Sequence, residues 1–219
     1  MKKGDIIIGL VLLSIGIFLS IEYTRNIFIS FNARYKLIGG FLKFFVLASI
    51  GDLIGGRIKN KKWSIPLGFL KKAIIWGLIG MVIVLIFGIY SSGVTYLMLN
   101  EILPFDGSKL AHAFFVSLIM NLTFAPTMMA FHRITDKVID LKTLKEYHNL
   151  ASTVKSIDWS QFVSFVILIT IPFFWIPAHT ITFLLPEEYQ VLFASILGIC
   201  LGMILGISKR KSLKNNNAF

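Results

Sequence analysis

Six stretches of this chain, at 6–21, 37–56, 73–99, 110–131, 161–185 and 189–207, are almost wholly apolar. A helical membrane span takes about 20 such residues, and backbone in lipid has to satisfy its own hydrogen bonds, which leaves helices as the structure these runs can adopt there. The rest of the composition agrees. Hydrophobic residues make up 56% of the 219 and charged residues only 15%, with a mean hydropathy of +0.78. The expected fold is therefore all-α: one polytopic transmembrane helix bundle over 1–207 with about six spans, followed by a basic tail at 208–219 expected to be disordered. No soluble domain is left over.

A net charge of +11 would point to nucleic acid in a soluble protein, but here the cations fall in a few connections between apolar runs and read as topology instead. Alternate connections divide them unevenly. Lys2 and Lys3, the cations between Arg57 and Lys72, those between Arg133 and Lys155, and the tail place 17 of the 22 on one side. Cationic loops stay inside, so both termini are expected in the cytoplasm of a bacterial plasma membrane, an organellar membrane being the alternative. Arg25, Arg34 and Lys36 in the first connection fall on the other side, which leaves a peripheral or re-entrant first run as a second reading. That run has the basic head of a signal peptide but no small-x-small cleavage site before Glu22, and reads as a retained anchor. Between the fourth and fifth runs, 134–150 sets Ile134, Val138, Leu141 and Leu144 near one helical face and lysines elsewhere, the pattern of an amphipathic interfacial helix.

Within the apolar runs the informative residues are the small and the polar ones. Ala194, Gly198, Gly202 and Gly206 recur every fourth residue and form one narrow helical face, and Gly51 and Gly55 make a shorter repeat; such faces let backbones approach where lipid gives little hydrophobic drive between helices. Pro126, Pro172 and Pro177 are expected to kink their helices and free the carbonyls of Leu122, Leu168 and Phe173. Asp52 is the one carboxylate well inside an apolar run, either an anchor for Arg57 or Lys59 or a group facing the bundle interior. Tyr90, Ser91 and Ser92 in the third run, Asn121 and Thr123 in the fourth, and Trp175, His179 and Thr182 in the fifth complete the candidate polar lining. Hydrogen bonding between helices explains these residues equally well.

Chemistry finds less support. His132, Asp136 and Asp140 are spaced for neighbouring faces of one helix, but no glutamate stands beside paired histidines as zinc hydrolysis commonly requires. Glycine-rich phosphate loops and serine-nucleophile motifs are also missing. The single cysteine, Cys200, can close no internal disulfide. No catalytic residue, metal or cofactor is expected.

Three motifs, in order, resemble the family of the peroxisomal membrane protein of twenty-two kilodaltons and its inner-mitochondrial-membrane relatives: Gly51-Asp52-Leu53-Ile54, Phe124-Ala125-Pro126, and Trp175-Ile176-Pro177-Ala178 leading through Phe183 to Pro186, with Tyr189 following. The similarity covers 41–207 and leaves the first run as an addition. His179 and Thr182 stand where the family has glutamine and asparagine, Gln190 where it has arginine, and Met120-Asn121 where it has aspartate-glutamine. The resemblance implies a membrane channel for small solutes. The functional expectation is thus a channel or facilitator for small solutes or ions, lined by the third to fifth spans, with lipid as its surroundings, a homo-oligomer as an option and no nucleic acid. A structural or assembly protein is the alternative, and a membrane-embedded enzyme the third reading.

Overall fold

The computed structural model describes residues 2–216, with side chains described as far as Met203. Those residues form helices and no strand: α1 Lys3–Ser20, α2 Glu22–Arg34, α3 Lys36–Asn60, α4 Phe69–Leu99, α5 Lys109–Thr143, α6 Leu150–Lys155, α7 Trp159–Leu184 and α8 Glu187–Asn216. Among the described residues α1, α3, α4, α5 and α7 are long and apolar enough to cross a membrane. The outside of the bundle is apolar as well as the inside: on α4 alone Ile74, Leu78, Val82, Leu85 and Ile89 are exposed. Helices that are hydrophobic all round need an apolar solvent, which fits a multi-pass membrane protein.

Three boundaries differ from the sequence expectation. The connection at 22–36 is mostly helix α2, because 22–34 contains neither glycine nor proline and only Ile21 and Tyr35 leave helical geometry. The segment at 134–150 is not a separate amphipathic helix, because α5 runs on through Thr143. Polarity changes at Phe131, but no helix-breaking residue stands between it and Thr143; the turn comes at Lys145, whose φ is +62°, and Asn149 then caps the short α6 by accepting from Ser152 N at 2.8 Å. Finally, α8 keeps helical backbone to Asn216, so the tail expected to be disordered is helical to that point, and 217–219 lie outside the described residues.

Prolines do not interrupt α5 or α7. Pro126 sits within α5. In α7 the stretch Phe162–Trp175 is π-helical, with Ile176 N–H reaching back to the carbonyl of Ile171. That wider register means Pro172 leaves unpaired the carbonyl five residues before it, at Ile167, rather than that of Leu168. Pro177 stands where the π-helical stretch passes into the α-helical end Ile176–Leu184.

At the centre stands α3, packed against α8 on one side and α4 on the other, while α5 lies against α4 and α7. Both faces of α3 use glycine. Toward α8, a β-carbon at Gly51 would stand 3.0 Å from the Gly198 carbonyl oxygen, one at Gly55 2.9 Å from that of Gly202, and one at Gly202 2.7 Å from that of Gly51. Toward α4, Gly40 and Gly80 face each other's carbonyls in the same way. Each glycine costs a helix about 1 kcal/mol relative to alanine, and here the return is backbone-to-backbone contact. Gly206 lies outside the residues whose packing is described. The first helix stays peripheral, its Ile8, Leu12, Ile15 and Leu19 packed against a cluster of Leu47, Ile50, Leu192 and Ile199. Its start is held by Asp5, which pairs with Arg57 at 3.1 Å and accepts from Trp63 Nε1 at 2.8 Å.

Candidate functional site

Between α3, α4, α5, α7 and α8 lies a cavity of about 320 Å³, at the small end of the range for ligand sites. Helical spacing assembles its walls. Phe44, Ala48 and Asp52 come from α3 at intervals of four, and Met120, Phe124, Met128, His132 and Asp136 form a column at the same interval on α5. Trp76, Ile83 and Phe87 close the α4 side, and Ala194, Gly198 and Gly202 leave the α8 wall low enough for space to remain. The small-residue stripe thus both packs α8 onto α3 and shapes the cavity.

One end of the cavity is acidic. Asp52 does not pair with Arg57, which Asp5 occupies; its Oδ2 accepts from Trp76 Nε1 at 2.9 Å. The Trp76 ring lies on that of His132, centroids 4.0 Å apart. His132 Nε2 stands 3.7 Å from Asp136 Oδ1, too far for a hydrogen bond, and both atoms are buried without a partner. Asp140 is taken by Lys72 at 2.7 Å. No group of three or more metal-ligating side chains comes together among the described residues, so His132, Asp136 and Asp140 do not converge as the metal reading requires.

At the opposite end a relay of hydrogen bonds fixes His179. Ser117 Oγ donates to the Ile176 carbonyl at 2.7 Å, and Asn121 Nδ2 donates to Ser117 O and Oγ at 2.8 and 3.2 Å. That turns Asn121 Oδ1 toward His179 Nδ1, 3.2 Å away. The oxygen can only accept, so Nδ1 carries the proton and Nε2 is left as an acceptor. His179 also stacks on Trp175 at 5.2 Å and meets the Phe87 ring edge-on at 6.0 Å. Trp175, 8% exposed, has its indole N–H buried without a partner.

Substituting Asn121 by leucine tests the relay. It removes two bonds and strands the His179 N–H, so we expect a loss of about 1–2 kcal/mol, given that interhelical hydrogen bonds in membranes contribute about 0.6 on average and a stranded buried donor costs about 1–3. Unfolding in mixed detergent micelles measures it; unchanged stability would show that the relay is not formed.

Of the polar residues singled out in the sequence, Asp52, Asn121, Trp175 and His179 line this cavity. The others go elsewhere. Thr123 donates to the Ile119 carbonyl and receives the Tyr90 hydroxyl at 2.7 Å, tying α4 to α5, while Thr182 is fully buried and donates to Ala178 O. Ser91 and Ser92 line a second, more open cavity of about 890 Å³ in the other half of the bundle, together with Asn32, Lys43 and the Lys36–Glu187 ion pair. One side chain, Phe87, lines both cavities. Neither Phe87 nor the methionines of α5 stood out in the sequence, where only the spacing of four through Met120, Phe124, Met128, His132 and Asp136 offered a signal.

Comparison with family models, with curated proteins and with solved structures gives no match for this chain.

Proposed function

We propose that this protein is an integral membrane facilitator for small solutes, with the cavity beside Asp52 as its solute site and Phe87 as the barrier between that site and the opposite half of the membrane. The observation that carries this reading is the pair of cavities that, among the described residues, share Phe87 alone. A single 6%-exposed ring between two spaces is the arrangement of a hydrophobic constriction. Supporting it are polar groups without partners on the cavity residues and the motif resemblance to a family of small-solute channels. In this reading the chain crosses six times, α8 being the sixth span, with both termini and the acidic end of the cavity on the cytoplasmic side.

The experiment is solute release. Purified protein in liposomes is expected to release small encapsulated solutes, or to conduct ions, above the rate of empty liposomes. Failure to exceed that rate across voltages and pH values removes the reading. A structural or assembly role is then what remains, and it is favoured by the glycine contacts and the Tyr90–Thr123 bond, which need no solute.

A further inference from the structure

The cavity has a charge and a chemistry that narrow its ligand. Two carboxylates, Asp52 and Asp136, line it against one guanidinium, Arg133. Arg133 makes no ion pair among the described residues and lies instead over the Phe162 ring at 5.7 Å, while the nearby Lys72 is engaged by Asp140. Among the described residues the lining therefore carries one formal negative charge more than it neutralises. Around it stand the rings of Phe44, Trp76, Phe87, Phe124, Phe162 and Trp175. Carboxylates in an apolar enclosure are costly unless paired, and aromatic faces attract cations, tryptophan most strongly. Metal ions are disfavoured, because no three ligating side chains converge among the described residues. Trp175, more than nine-tenths buried, gives its ring to the same wall.

We infer that the cavity binds a small organic cation, an ammonium group on an apolar body, with the charge at the Asp52–Asp136 end and the body among the aromatic rings. This deepens the facilitator reading and rests on it for the route by which the cation enters, though not for the site itself.

Binding to the purified full chain in detergent tests it, using three probes of similar size: benzyltrimethylammonium, neutral benzyl alcohol and anionic benzoate. Titration calorimetry is expected to give the cation at least about tenfold tighter binding than either of the others, a ratio in keeping with a desolvated charge pair plus cation–π attraction. Asp52→Asn should lose about tenfold for the cation only, and Asp52→Glu should restore most of it, which a merely structural Asp52 would not produce. Preference for benzyl alcohol or benzoate, or cation binding indifferent to Asp52→Asn, overturns the inference while leaving the facilitator reading standing. Binding of none of the three while liposomes still release solute overturns it as well. Cation binding with no release from liposomes keeps the site and removes the facilitator.

Discussion

Replacing Gly51 by leucine is expected to separate α3 from α8 and to leave little folded protein. A β-carbon at this position would stand 3.0 Å from the carbonyl oxygen of Gly198, 3.1 Å from Cα of Ile199 and 3.2 Å from the Gly198 carbonyl carbon. All three are backbone atoms, so no side chain can swing aside, and the helices must part. Even a few excess methylenes in a packed core cost about 1–3 kcal/mol when neighbours can shift. Here the obstruction is rigid and the whole glycine face loses contact with it, in a medium where packing does much of the work of helix association. We expect Gly51→Leu to cost upwards of about 3 kcal/mol and Gly51→Ala about 1–3, on that scale of overpacking penalties. The matched control is Gly88→Leu on α4, where nothing lies within 4 Å of an added β-carbon. Thermal unfolding and size-exclusion behaviour in detergent separate the two; equal midpoints for Gly51→Leu and Gly88→Leu would exclude the contact as a determinant of the fold.

The glycine face was readable because small residues at every fourth position stand out against leucine and isoleucine, and the same contrast exposed Asp52, Asn121, Trp175 and His179. Hydropathy reports the solvent around a segment, however, and not where its helix stops. Hence the fourth run ends at 131 in polarity while α5 ends at Thr143, and a connection with no glycine or proline at 22–34 is helix α2. The π register of α7 was invisible for a related reason: it resides in which carbonyl each N–H selects, which the sequence does not spell out even around two prolines. Direction within a span was equally hidden. Thr182 turns to its own backbone at Ala178, and Tyr90 and Thr123 satisfy each other across two helices, so polar character alone did not separate lining from packing. His132 and Asp136 suggested a metal by spacing, yet their place is the cavity wall. Gly40, directly after Gly39, and Gly80, three residues after Gly77, meet only because α3 and α4 cross there.

Phe87 shows what an apolar sequence conceals most completely, since a phenylalanine among isoleucines carries no contrast, and it also gives the largest expected change in activity. Its ring is held by Phe183 at 4.8 Å and by the edge-on contact with His179, and among the described residues it is the one common to both cavities. Phe87→Ala deletes the ring, and in the facilitator reading it is expected to open the space beside Asp52 toward the space beside Ser92. Solute release from liposomes should then rise roughly tenfold or more, the factor that follows from removing about 1.4 kcal/mol of a permeation barrier. Loss of a buried phenylalanine costs about 3–5 kcal/mol in a well-packed core, so the variant has to be compared with one that loses buried volume without touching either cavity. Ile79→Ala serves, because Ile79 is buried on the same helix and lines neither space. Phe87→Leu, which keeps most of the packing, should give an intermediate rate, and Phe87→Trp a rate at or below that of the unaltered protein. A barrier formed by this ring requires release to follow side-chain size in that order; equal release from Phe87→Ala and Ile79→Ala would instead assign the increase to a loosened bundle and remove Phe87 as the gate.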